Sequence, residues 1–456
     1  MATQSALALA REIRLGDGVA IVVGGIIGSG IFLVPKDVSQ QLDSFAGVLL
    51  VWIVGGALSL FGALALAELG AALPRTGGLY VYLSEAYGRP MGFLYGWGQL
   101  IAISSGTVAT LAVAFGLYLS RLVPLNATEQ KVVGVASVLL LTGVNCLGLR
   151  RGTWVQNVST LAKVGGLGLV IVVLLARGRP LEMWSQSFWP SDPAAGGAGG
   201  LNPAWIPFGV ALVAVLWAYE GWHIITFSAG EFKRVRPDLG RSLAIGTVVI
   251  VAIYLAANLA YYAALPGAEI AQSDTVAATA MTRTFGAGAA GFVSLLILIS
   301  IFGANNAQIL ATPRMYYAMA RDGLFFESLA RVHPRYHTPV AAIVTQGVWA
   351  SLLTCIGSFQ QLFTYVVFTH WIFYALAVAG VVVLRVKRPE LERPFCVPGY
   401  PLLPFLFVLS AAGLTLSVIV ADPWRSFAGV AAILTGLPAY GLFCLLRHRK
   451  RKPPKA

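Results

Sequence analysis

Charge is what this chain has least of. Of 456 residues only 11% are Asp, Glu, Lys or Arg, against about 25% in soluble domains. A soluble globular domain is excluded on that ground. There are four cysteines, scattered along the chain, so neither a disulfide scaffold nor a cysteine metal pattern is present. With five histidines and no HExxH or nucleophile-elbow sequence, an enzyme embedded in a membrane has no chemistry to point to, and no metal or cofactor is expected. The first 18 residues carry Arg11, Glu12, Arg14 and Asp17 with no apolar stretch ahead of a cleavage site, so no cleavable leader is expected. No long polar stretch offers a soluble output domain, which argues against a sensor.

What the chain has in quantity is apolar sequence. Hydrophobic residues make up 57% of it, and the mean hydropathy is +0.76. A helix needs about 20 residues to cross the hydrocarbon of a bilayer. Twelve apolar segments read as spans: 19–37, 45–72, 90–119, 132–149, 154–176, 204–230, 242–264, 287–319, 339–357, 362–384, 401–420 and 425–446. The fold class is all-α, a polytopic membrane protein. With the N-terminus inside, 24 of the 32 Lys and Arg fall on the cytoplasmic side and seven outside. That asymmetry predicts an even number of spans and both termini in the cytoplasm. It also accounts for the net charge of +13 without nucleic acid, because these charges would face anionic headgroups.

Two apolar segments carry an internal interruption. In residues 19–37, VAIVVGGIIGSGIFLVPKD, the interruption is Gly28-Ser29-Gly30. Glycine there permits either close helix packing or a helix break that frees N–H groups for an anionic group. The second is LWAYEGWHIITFSAGE at 216–231, early in the other half of the chain. Breaks at corresponding places in two halves are the mark of inverted-repeat transporters, with the site between them.

Four stretches carry a resemblance. They are GVAIVVGGIIGSGIF at 18–32, ALAELGAALPRTGGLYVYLSEAYG at 65–88, the 216–231 run, and ATPRMYYAMARDGLFFESLARVHPRYHTP at 311–339. In this order and spacing they resemble the amino acid–polyamine–organocation superfamily, and within it bacterial relatives of the L-type amino acid transporters. The resemblance implies a five-plus-five inverted repeat with discontinuous first and sixth helices. The expected organisation is a cytoplasmic N-terminus at 1–18, a first repeat at 19–176, an external loop at 177–203, a second repeat at 204–385, two further helices in 386–446 and a basic tail at 447–456.

By the same resemblance, Ile27, Gly28, Ser29, Gly30 and Ile31 would meet a substrate carboxylate, and Trp217, Ala218, Tyr219, Glu220 and Gly221 its amine and side chain. Exposed N–H groups suit a carboxylate and exposed carbonyls suit an ammonium. Trp217 stands where such transporters carry an aromatic gate. Glu220 departs from the common AYGGW run, since here it reads AYEGW. Its carboxylate either recruits a cationic side chain, pairs with Lys163, carries a proton, or points away.

Lys163 lies about halfway along the fifth span, where a charge is costly and functional by default. The resemblance to sodium-independent members implies that it stands in for a sodium ion, binding freed carbonyls near Gly28 or Ser29; otherwise it couples protons if burial lowers its pKa. His223 replaces a residue that is often Asn and either bonds to its helix neighbours or touches substrate. Glu68, Arg75 and Glu231, with Lys233, Arg234 and Arg236, are candidates for cytoplasmic gate pairs. Arg314 and Arg321 read as scaffold and cytoplasmic anchors. Ser104, Ser105 and Thr107, and Asn305 and Asn306, give polar stripes that either glue helices or line a pocket. Asn126-Ala127-Thr128 is a glycosylation acceptor only in a eukaryotic secretory pathway. The external loop holding it lacks the cysteine by which animal L-type light chains bond a heavy chain, so no disulfide-linked partner is expected. The expected function is sodium-independent exchange or uptake of neutral L-amino acids by alternating access across the plasma membrane. The alternatives are a cationic amino acid or polyamine carrier and, more remotely, a sensor on a transporter fold.

Overall fold

The computed structural model describes residues 9–178, 205–356, 359–421 and 423–451. The expected external loop at 177–203 lies almost wholly outside the described residues, as do 1–8 of the N-terminal segment and 452–456 of the tail.

Among the described residues the named elements are all helical, apart from an isolated bridge between Ile13 and Phe232. Among the described residues nine helices are long and apolar enough to cross a membrane, and a bent pair, Leu15–Ile26 with Gly30–Gln41, counts as a tenth. Val340–Ile356 and Leu402–Leu416 are shorter apolar helices. They fall in two of the twelve expected segments, and the second is part of the 20-residue helix Leu402–Ala421. Large side chains such as Leu161, Val172 and Leu140 stand 75%, 64% and 59% exposed on helix surfaces. An outward apolar surface with the backbone satisfied inside helices is what a bilayer requires.

The helices start where the sequence caps them. Ser44 accepts from the Gly47 N–H ahead of Phe45–Ala72. Asn126 accepts from the Thr128 and Glu129 N–H groups while Glu129 bonds back to the Asn126 N–H, a capping box for Ala127–Cys146. The Asn side chain of the N-x-T sequence is thus a helix cap here.

Leu15–Ile26 sits at the centre, packed by Leu149–Arg177, Gly288–Ala311 and Val235–Ala264. Helix Val235–Ala264 in turn lies along Phe45–Ala72. The pairings expected at one membrane face are partly corrected. Glu68 binds Arg385 through two bonds of 2.8 and 2.7 Å and accepts from the Val397 N–H at 2.7 Å. Arg75 pairs with Glu85 and Arg236 with Glu392. Glu231 and Arg314 pair at 2.7 Å with side chains 0% and 1% exposed. Arg314 is therefore a buried strut and not a surface anchor. A guanidinium that far from water needs a carboxylate and further acceptors, and Glu231 and the Leu310 carbonyl supply them.

Candidate functional site

The first helix stops at Ile26 and resumes at Gly30 with its axis turned by 44°. A break frees carbonyls on one side and N–H groups on the other. The freed carbonyls are taken up individually. Lys163 Nζ donates to Gly24 O at 2.6 Å and Ile27 O at 2.7 Å, and to Ser300 O at 3.2 Å. Ser300 Oγ lies 2.9 Å from both Ile27 O and Gly28 O. Tyr254 donates to Ile26 O at 3.2 Å. Lys163 is 0% exposed. Of the freed carbonyls expected near Gly28 or Ser29 it meets that of Ile27, beside Gly28, and it also meets that of Gly24, one turn earlier. The reason is that the helical ladder ends at Ile27, whose N–H still bonds Val23 O, so the vacated acceptors start one turn earlier. Ser300 carried no sequence signal of its own. On the other side of the break, Gly30–Gln41 begins without a side-chain cap, since Ser29 makes none.

The second break follows Trp205–Ala218. Gly221 takes a φ of +119°, a value side chains rarely adopt, and a Cβ there would come 2.9 Å from the Gly25 carbonyl oxygen. Residues Trp222–Glu231 continue as 3-10 helix, with Ser228 outside helical dihedrals. The Tyr254 hydroxyl lies equally 3.2 Å from Ala218 O, so its single proton is within bonding distance of a carbonyl at each break. A Cβ on Gly30 would come 2.9 Å from Ala218 Cα. The two interruptions are in contact.

Between them lies a cavity lined by residues of both breaks. Of the ten residues assigned to substrate, Gly28, Ser29, Gly30, Trp217, Ala218 and Glu220 line it. Ile27, Ile31, Tyr219 and Gly221 are not part of its lining. Tyr219 is buried and donates to Trp52 O at 3.2 Å. Gln308, Thr110, His370 and Trp371 also line the cavity, and sequence reasoning singled out none of them. Thr107, from the polar stripe, lines it too. Asn306 instead bonds Asn145, Gln156 and Gly152 O, and Asn305 reaches Val108 O, which makes them helix glue.

Glu220 does not pair with Lys163. Its carboxylate accepts from the Tyr374 hydroxyl and lies 3.4 Å from His223 Nδ1 and 3.5 Å from His370 Nδ1. Tyr374 also lies 2.6 Å from His223 Nδ1. His370 Nε2 meets Gln99 Nε2 at 3.0 Å, and Gln99 Oε1 accepts from Ser104. Gln99 sits in a π-helical turn, Gln99–Ile103, a distortion frequent at functional sites. The sequence showed no cluster of metal-ligating type, yet Glu220, His223 and His370 bring three such atoms within 4.8 Å of one another.

The profile of a family described as amino acid permease matches residues 17–437. Among similar proteins, the "Serine/threonine exchanger SteT" of Bacillus subtilis is 33% identical, covering 95% of this chain and 96% of its own length. The human "b(0,+)-type amino acid transporter 1" is 32% identical over 95% of this chain and 88% of its own length. The human "Asc-type amino acid transporter 1" is 30% identical over 98% of this chain and 84% of its own.

Proposed function

The chain belongs to the amino acid permease family, and we propose that it carries neutral L-amino acids across the bacterial plasma membrane by sodium-independent exchange or uptake. The observation that carries this reading is the meeting of two interrupted helices at one cavity, with the carbonyl side of the first break already occupied by Lys163, Ser300 and Tyr254. A fixed ammonium at the freed carbonyls supplies the positive charge that a bound sodium ion would otherwise provide. What the first break leaves for a ligand is its uncapped N–H side at Ser29 and Gly30, which suits a carboxylate. The substrate ammonium is assigned to the carbonyls around Ala218 and Glu220, with Trp217 closing over it. Relatives named for serine/threonine exchange and for amino acid transport support the substrate class.

Residues 19–176 and 204–385 are read as the two repeats, each opening on a broken helix, with 386–446 outside them and both termini cytoplasmic. The charge asymmetry supports that orientation. No disulfide-linked partner is assigned, since the external loop around Asn126 has no cysteine of the kind by which animal L-type light chains bond a heavy chain. A second reading, transport of cationic amino acids, is favoured by one observation, the Glu220 carboxylate on the cavity wall.

The test is uptake of labelled amino acids into proteoliposomes, with unlabelled amino acids as competitors and counter-substrate inside or omitted. Flux is expected to persist when choline or potassium replaces sodium, and to be competed by small neutral amino acids. A strict sodium requirement would defeat the role given to Lys163. Competition by lysine-like substrates alone would replace the neutral reading with the cationic one.

A further inference from the structure

We propose that Glu220, His223 and His370 form a binding site for one divalent transition ion of the zinc type, on the wall of the cavity, and that the ion inhibits transport. The first argument is spacing. A tetrahedral ion with bonds of about 2.0–2.1 Å holds its ligand atoms about 3.3–3.4 Å apart. Glu220 Oε1 lies 3.4 Å from His223 Nδ1 and 3.5 Å from His370 Nδ1, so two edges of such a tetrahedron are already in place. The third, between the two histidines, is within 4.8 Å and is the edge that closes on binding.

The second argument is an orphan. His370 is 2% exposed, and its Nδ1 has no hydrogen-bond partner. A buried ring nitrogen without a partner is costly. It lies 3.5 Å from the carboxylate oxygen it would share an ion with. The outer partners fit as well. A metal-bound imidazole donates its other N–H to an acceptor that fixes its orientation. Gln99 stands 3.0 Å from His370 Nε2, and Ser104 stands on its far side. Amide orientation is a matter of assignment. Turning the Gln99 amide over lets Oε1 accept from His370 Nε2–H while its NH₂ group meets the Ser104 hydroxyl, and the Nδ1 lone pair is freed for the ion.

Two imidazoles and one carboxylate suit zinc and its neighbours, not magnesium or calcium. Glu220 and His370 both line the cavity, so the fourth position opens toward it, where water or another small ligand completes the shell. In the ion-free protein the Tyr374 hydroxyl lies against Glu220 and His223 and turns aside as the ion enters. The ion would then tie the segment after the second break to helix Phe359–Lys387, which holds that segment still. The metal site stands on geometry alone. The inhibition rests on the transport reading above.

The test uses the full-length protein, purified on a tag without histidine and titrated with Co²⁺. One ion per chain with the visible absorption of tetrahedral cobalt is expected, displaced by Zn²⁺. His223→Ala and His370→Ala should each weaken binding by more than about tenfold, the least that removal of even an outer partner of a bound metal typically costs. Changing His333 and His337 to Ala, in a separate loop, should leave it intact. The absence of a tetrahedral spectrum, or its survival in His370→Ala, overturns the site. Should the histidine variants fail to fold, protection of His370 in the wild type from diethylpyrocarbonate by Zn²⁺, read by mass spectrometry, decides the matter, and equal modification with and without the ion overturns it. Zn²⁺ should also suppress amino acid uptake by the wild type. Bound zinc with unaltered flux removes the inhibitory role, whereas absent flux in zinc-free protein counts against the transport reading.

Discussion

Replacing Lys163 by methionine keeps the length and most of the volume of the side chain and removes its charge. The ammonium makes short bonds to Gly24 O and Ile27 O and a longer one to Ser300 O. Each charge-assisted bond contributes roughly 1.5–3 kcal/mol. The loss does not fall evenly. Ile27 O keeps the Ser300 hydroxyl at 2.9 Å, while Gly24 O loses the lysine and is left to the cost of an unmet buried carbonyl, about 1–3 kcal/mol. In the other direction, the burial penalty of an ammonium, several kcal/mol after relaxation, is lifted. The two sides nearly cancel in global stability, so the melting temperature of Lys163→Met is expected to stay close to the wild type.

The local effect does not cancel. The first break loses the tie that holds its carbonyl side, and the N–H groups beyond it lose their fixed position. We predict that amino acid affinity falls by about 1–3 kcal/mol, roughly 5- to 150-fold, measured by isothermal titration on purified protein. Ser300→Ala removes the shared acceptor contact from the other side and should cost less, near 1 kcal/mol. Because both side chains bond Ile27 O, the double variant should be non-additive by about 0.5 kcal/mol or more. Unchanged affinity in a monodisperse Lys163→Met protein would refute the reasoning, as would strict additivity with Ser300→Ala.

Three further outcomes are expected. Decarboxylated amines should compete with labelled amino acid about 10- to 150-fold more weakly than the amino acids themselves, for want of one charge-assisted bond at Ser29 and Gly30; equal competition would sink the carboxylate site. Glu220→Gln should weaken lysine-like competitors more than leucine or alanine, and Lys163→Met should not rescue it, because the two side chains have separate partners; parallel competition curves for all substrates would count against charge tuning. Arg314→Met strands the buried Glu231 carboxylate and should destabilise the protein by about 3–5 kcal/mol, with most of that recovered when Glu231 is changed to leucine as well; a thermal shift assay in which the single variant matches wild type would defeat the strut.

The breaks were legible because interruptions fall at corresponding places in two halves of the chain, since glycine in one apolar run alone fits close packing as well, and Lys163 because a charge in such a run is costly. Partner choice was less legible. Glu220 was visible as a departure, yet its neighbours His370 and Tyr374 come from a helix far along the chain, and nothing in local spacing links them. Glu68 and Glu231 were marked as face charges, but only packing reveals that one binds Arg385 and Arg393 while the other is sealed with Arg314. Ser300 sits in an ordinary apolar helix, and its hydroxyl matters only because the first break brings carbonyls to it.

The glycines at the two breaks are best understood as one requirement. Gly25 offers the carbonyl that a side chain at Gly221 would strike, and Ala218 offers the Cα that a side chain at Gly30 would strike. Each small residue makes room for the other interruption, and Tyr254 then places its hydroxyl within 3.2 Å of a carbonyl freed on each side. Neither break is stable as an isolated kink, since its unpaired backbone groups lie in an apolar interior. The bonds that satisfy them come from Lys163, Ser300 and Tyr254, on three different helices. The cavity wall at Gly28, Ser29 and Gly30 is thus unwound backbone backed by packed helices, with carbonyls of the first break met by Lys163, Ser300 and Tyr254.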